Sequence, residues 1–191
     1  MNTSSARTTY HHGDLRTALL SAARALLDDG GVAAVSLREA ARRAGVTPAA
    51  CYRHFADKDA LLTALAVQGF EEFAQALAQA SQGAADRFAA MGVAYVDFAV
   101  RRPGMFRLMF GPAVADRSRS PQLLEAIAAS TRLFEGGLKA SRHAKPQDPV
   151  AGLRAWAQVH GLATLAIDGM LPEYDPVVLA RALAKMPTKN A

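Results

Sequence analysis

An intrachain disulfide is out of reach for this sequence, which has one cysteine, Cys51, in 191 residues. That usage suits a reducing compartment. Long apolar runs are missing too. The longest uncharged stretches, 73–85 and 155–167, are 13 residues each, short of the roughly 20 that a membrane span needs and right for a buried helix. Residues 1–10 are polar and hold no apolar signal core, so the expected location is the cytoplasm. No two histidines share a helix face at metal-ligand spacing, His11 and His12 being adjacent in a polar arm, and no metal or cofactor is expected. No nucleophile comes with a base and an orienting partner, and no phosphate loop occurs, so an enzyme is not expected. Charge of one sign is also scarce. Against 22 Lys and Arg stand 17 Asp and Glu, a net charge of +5, and residues 1–60 hold eight basic and six acidic side chains. This balance permits a polyanionic partner without demanding one. Any case for nucleic acid must come from local pattern.

What is present favours helix. Alanine and leucine dominate, apolar residues recur every three or four positions, and β-branched runs are few. A first helix is expected from Asp14, a good N-cap, with Leu15, Ala18, Leu19, Ala22 and Leu26 on one face and Asp28-Asp29-Gly30-Gly31 as its end. Ser36 and Glu39 form a capping-box pattern that opens a short second helix, to about Arg43 or Ala44. Gly45 then supplies a turn, and Val46 returns to the core. Thr47 caps a third helix with Pro48 at its first position, running to Phe55. Asp57 starts a fourth, which continues through Leu61, Leu62, Leu65 and Phe70 to about Ala80.

Beyond Gly83, Phe88, Met91, Tyr95 and Phe98 lie at helical spacing until Arg102-Pro103-Gly104 breaks the helix. Met105 to Phe110 is a short Met- and aromatic-rich segment, and Gly111 to Pro121 a charged loop. A helix over Gln122–Lys139 follows, then a polar connector from Ser141 to Pro149. Asp148-Pro149 caps a helix to about Gly169, and Asp175-Pro176 caps the last. The fold class is all-α, with about nine helices and a division into 1–72 and 73–191.

Two short helices joined by a glycine turn make either an ordinary helical hairpin or a helix-turn-helix, which lays its second helix in the major groove of DNA. The details of Leu37–Ala56 suit the latter. Ala41 is small where the helices cross, Gly45 takes the turn, and Val46 and Cys51 are apolar beneath the second helix. Four segments then carry a resemblance: Tyr10-His11-His12-Gly13-Asp14-Leu15-Arg16, Ser36-Leu37-Arg38-Glu39-Ala40-Ala41, Ala44-Gly45-Val46-Thr47, and Tyr52-Arg53-His54-Phe55-Ala56-Asp57-Lys58-Asp59-Ala60-Leu61. In that order and spacing, over about residues 10–70, they resemble the amino-terminal domain of the tetracycline-repressor (TetR) family. Trp156-Ala157-Gln158-Val159-His160-Gly161 resembles the ligand-domain subgroup of that family marked by Trp and His-Gly.

The resemblance implies a helix-turn-helix DNA-binding domain at 1–72, with residues 36–55 as its reader. A long fourth helix joins it to a ligand-binding and dimerisation domain at 73–191. It places Tyr52, His54 and Lys58 at phosphate contacts, which a phenol, an imidazole and an ammonium can all make. Arg53 adds a charge-assisted contact, and the helix starts at Ser36 and Thr47 offer free amides. Arg38 falls where an arginine can read guanine O6 and N7. The start of the reading helix, Pro48-Ala49-Ala50, can touch a thymine methyl but carries no donor pattern, so Arg38, apolar contacts and DNA shape are expected to share specificity. Cys51 replaces a larger apolar residue of the family; it is either a small core residue or a redox sensor.

On the helix over 150–169, Gly152, Leu153, Ala155, Trp156, Val159, Leu162, Ala163, Ala166 and Ile167 form an apolar arc of roughly 200°, wider than one core requires. Either the arc is buried within one chain or a second partner covers part of it. The family pairs its last two long helices about a twofold axis, so 150–170 and 176–186 are assigned to a homodimer interface. Phe88, Met91, Tyr95, Met105, Phe106, Met109, Phe134, Trp156 and His160 either line a ligand cavity or fill the core. The resulting expectation is a homodimeric repressor with reading helices roughly 34–36 Å apart, released from a palindromic operator by a small, largely apolar effector. A constitutive or architectural DNA-binding protein, or an activator on the same fold, remains open.

Overall fold

The computed structural model describes residues 12–114, 116–141 and 150–185, and every regular element among them is helical: nine α-helices and one 3-10 turn. The features expected at Tyr10 and His11, the cap at 148–149 and the end of the last helix at Met186 lie outside the described residues. The chain divides after Leu65 into two units, 1–65 and 66–191.

In the first unit, α1 (His12–Ala34), α2 (Leu37–Arg43), α3 (Pro48–Tyr52) and the start of α4 (Lys58–Ser81) surround one core. Its centre is Leu19, Ala23, Leu27, Val35, Ala40, Ala41, Cys51, Leu61 and Leu65, none of them accessible to solvent. Burying each leucine here contributes about 1.5–3 kcal/mol. α1 starts two residues before Asp14. Its regular part ends where expected, since Gly30 leaves helical geometry and Gly31 takes φ +68°, a conformation that glycine adopts without a Cβ clash. One further turn then carries the chain to Ala34. Only half of the capping box forms. Ser36 Oγ accepts from the Glu39 amide at 3.2 Å, but the Glu39 carboxylate accepts from Arg42 Nε at 2.8 Å and lies 3.8 Å from Arg43. A charged donor outcompetes a backbone amide for it.

Gly45, with φ +69°, turns the chain from α2 into α3, and Val46 N closes the corner on Ala41 O at 3.0 Å. α3 is three residues shorter than expected. The carbonyl of Cys51 accepts from both His54 N and Phe55 N, each at 3.0 Å, and this tight turn brings Phe55 back into the core, 3% exposed. Asp57 Oδ1 then accepts from Ala60 N at 2.8 Å to open α4.

In the second unit, α5 (Arg87–Arg101) is central, touching α6 (Pro103–Phe110), α7 (Pro121–Lys139), α8 (Ala151–Ile167) and α9 (Pro176–Lys185). The break between α5 and α6 falls at Arg102, whose φ of −136° is non-helical. Its guanidinium pairs with Glu72 and lies over the Phe98 ring. α6 buries Met105, Phe106, Leu108 and Met109. Part of the expected charged loop forms a 3-10 turn, Arg117–Arg119, capped by Asp116. α7 begins one residue early, Ser120 Oγ accepting from Leu123 N at 3.2 Å. Val96, Leu162 and Ala180 form a small core joining α5, α8 and α9. Leu153, Trp156 and Leu165 of α8, and Val178 and Leu183 of α9, stay exposed. The single chain therefore leaves part of its apolar surface uncovered.

Candidate nucleic-acid interface and ligand cavity

The predicted contact residues of the first unit sort by the work they do in the fold. Ser36 and Thr47 are caps, Thr47 Oγ1 accepting from Ala50 N at 3.4 Å. Pro48 and Ala49 are exposed and Ala50 half-buried at the outer start of α3. Tyr52 is 51% exposed at the end of the same helix, a wasteful position for a phenol ring unless something covers it. Arg38 and Arg53 are exposed and His54 half-buried. Lys58 is exposed, and its Nζ donates to Val32 O at 3.3 Å, which fixes the ammonium beside the end of α1. The other arginines of α2 are committed, Arg42 to Glu39 and Arg43 to Asp29 at 2.8 Å. Arg38 has no ion pair among the described residues, leaving its planar fork of donors available. Cys51 is wholly inaccessible and burial pushes its thiol pKa up, which disfavours the reactive thiolate.

The second unit holds a cavity of about 560 Å³, within the usual size range of small-molecule sites. Of the nine residues expected to line one, Tyr95, Phe134, Trp156 and His160 do so. The others pack elsewhere. Met105, Phe106 and Met109 are 0–2% exposed in the core of α6. Met91 lies against Gly137 of α7, where an added Cβ would meet its sulfur at 2.6 Å, and Phe88 packs at a tilt against Phe134 with ring centres 5.1 Å apart. Phe70 of the fourth helix and Phe110 of the Met-rich segment, neither of them among the nine, also line it, with Phe73, Arg117, Ser130 and Thr131. The i, i+3 aromatic pair Phe70 and Phe73 was the available signal.

Three polar side chains converge at one wall. Trp156 Nε1 donates to the Tyr95 hydroxyl oxygen at 3.1 Å, and that hydroxyl lies 2.8 Å from His160 Nδ1. Burial holds the Tyr95 phenol well above its ordinary pKa, so it stays protonated and can donate. Burial also lowers the His160 pKa, so a neutral imidazole accepting at Nδ1 completes the chain Trp156 to Tyr95 to His160. This has a consequence for stability. The unfolded chain takes up a proton near the ordinary histidine value of about 6.5, which native His160 resists. Its contribution is therefore full above that value and is lost as pH falls towards the lower native pKa. In His160→Asn the amide oxygen can still accept from Tyr95. This variant should show a smaller loss of stability between about pH 7.5 and 5.5 when both proteins are unfolded in urea. Equal losses would refute this source.

Comparison with known proteins adds lineage to this geometry. Residues 19–65 match the family described as bacterial regulatory proteins, tetR family, and residues 88–186 match the tetracyclin repressor-like C-terminal domain. An HTH-type transcriptional regulator of Mycobacterium tuberculosis is 30% identical over 110 residues, covering 55% of this chain and 47% of that protein. The chain thus spans about half the length of the curated relatives it matches. A protein of unknown function from Rhodococcus sp. RHA1 is 37% identical, with a TM-score of 0.80 over 93% of this chain and 95% of that one. A TetR-family transcriptional regulator from Thermus thermophilus is 20% identical with a TM-score of 0.61, covering 87% and 94%, a likeness of fold.

Proposed function

The chain belongs to the TetR family of bacterial regulatory proteins, and from that premise we propose that it is a homodimeric repressor, released from operator DNA by a small effector. The observation that carries the DNA reading is the division of labour around α3. Cys51 and Phe55 are buried and Thr47 caps, while Pro48, Ala49, Tyr52 and Arg53 are left exposed. A helix so short contributes little to stability by itself, so an outward face with no intramolecular task points to an external partner. Docked in the major groove, Arg38 would read a base, Pro48, Ala49 and Ala50 would meet thymine methyls, and Tyr52, Arg53, His54 and Lys58 would hold phosphates. The cavity in the second unit supports the effector reading over a constitutive one, for which a filled core would serve. The convergence of Trp156 and His160 on Tyr95 supports placing the chain in the Trp/His-Gly subgroup. A cytoplasmic location follows from this reading; no described helix is long and apolar enough to cross a membrane.

A gel shift on the intergenic DNA beside the gene tests the proposal. Arg38→Ala should weaken binding by about 1–3 kcal/mol and relax preference at one base pair per half-site. Lys58→Ala should weaken binding to all sequences alike and reduce the slope of log affinity against log salt by about one unit per protomer. If both variants bind as the parent does, the assigned docking face is wrong.

A further inference from the structure

Resting on the effector reading of the cavity, we propose that the compound it takes is an apolar monocarboxylic acid whose carboxylate is held by Arg117. The body of the ligand follows from the walls, which include the rings of Phe70, Phe73, Phe110, Phe134 and Trp156. The head follows from the charges among them. Apart from Tyr95, the titratable side chains of the lining are Arg117, Glu135 and His160. His160 is kept neutral by burial. Glu135 is exposed, so water already solvates its charge. Arg117 is half-buried, and it makes no ion pair among the described residues.

Its position is nonetheless fixed. Arg117 Nη2 donates to Gly111 O at 2.8 Å. Gly111 is itself anchored, its amide donating to Arg107 O at 2.9 Å. The neighbouring carboxylate does not neutralise the guanidinium, for Asp116 Oδ1 accepts from the Ser118 amide at 3.0 Å and from its hydroxyl. A guanidinium has five N–H donors in a planar fork, so one anchoring bond leaves donors for a bidentate carboxylate. A half-buried cation that lines an aromatic cavity and has no ion-pair partner among the described residues has lost solvation that an anionic ligand offsets.

The remaining polar groups restrict the ligand to one acid. Ser130 and Thr131 donate their hydroxyl hydrogens to Ile127 O, at 2.8 and 3.0 Å, so towards the cavity they act as acceptors. A second carboxylate would meet these acceptors and Glu135 with only the uncharged Nε2–H of the neutral His160 ring as a donor, and no second cation in the lining to match its charge. An apolar body with a single acid group matches the aromatic walls and the single cation of the lining.

The test uses the full chain and two acids, biphenyl-4-carboxylate and decanoate, each beside its methyl ester and the corresponding primary amine. Binding is measured by calorimetry with the parent, Arg117→Gln and Arg117→Lys. The melting temperature of each unliganded variant reports whether it has folded. At least one acid should bind the parent about tenfold or more tightly than its ester and amine, as a charge-assisted pair would give. Arg117→Gln should abolish that preference, and Arg117→Lys should keep part of it. Esters or amines that bind as tightly as the acids would overturn the assignment, as would no acid binding at millimolar concentration, or acid affinity unchanged in Arg117→Gln. Acid binding that depends on Arg117 but leaves the operator complex intact would uphold the assignment and overturn the effector role instead.

Discussion

Leu165→Glu should leave the protein monomeric and lower its operator affinity by about 100-fold or more, the gain that two linked half-site contacts supply. The reason lies in the two sides of α8. Leu162 and Ala163 face inward and are buried against the core shared with α5 and α9. Leu165 is 48% exposed, and Ala157, Gln158 and Gly161 lie on the same outward side at helical spacing. Gly161 has open space where a Cβ would stand. Small residues flanking a leucine let another helix approach closely, and α9 adds Val178, 55% exposed. In a twofold assembly each interface residue occurs twice, so one substitution introduces two carboxylates, and an unpaired buried charge costs several kcal/mol. Because Leu165 is already exposed in one chain, the change spares the monomer core. Sedimentation velocity and a gel shift on the same sample check both halves. A variant that remains dimeric with parental operator affinity would place the interface elsewhere.

Phe106→Ala should cost about 3–5 kcal/mol of stability, as deletion of a fully buried ring does. Phe106 is 2% exposed, with ring centres 4.7 Å from Phe110, 5.4 Å from His160 and 5.8 Å from Tyr95. It does not line the cavity, but it backs residues that do. Urea unfolding monitored by circular dichroism measures the loss. A cost below about 1 kcal/mol, the level of a typical point mutation, would show that the surroundings of the ring are loosely packed. The same variant separates the two roles open to this residue in the sequence. A core ring governs stability first, whereas a ring on the cavity wall would govern ligand affinity with little effect on folding.

Local chemistry made four of the helix starts legible. Ser36, Thr47, Asp57 and Asp175 each bond an amide within three residues, so sequence neighbours alone decide them. Ends set by tertiary demands were less legible. α3 stops at Tyr52 because Phe55 must return to the core, and nothing within the helix announces that. The cavity was harder still. Periodicity tells which residues point inward but not whether the interior is filled, so Tyr95 and Met105 look alike in sequence while one lines a void and the other packs against α4. The polar wall escaped for a different reason. A search for apolar stripes passes over Arg117, Ser130 and Thr131, which reach the cavity from a charged turn and the flank of α7.

The arrangement of α3 also bears on how such a protein changes over generations. Its ability to fold is vested in Thr47, the turn before it, Pro48 at its first position and the inward Cys51, whereas the side chain of Ala49 is exposed. Mutation at Ala49 therefore alters what the helix can recognise while leaving the scaffold that presents it intact. A duplicated copy of the gene could acquire a new target site by single steps, each passing through a folded protein.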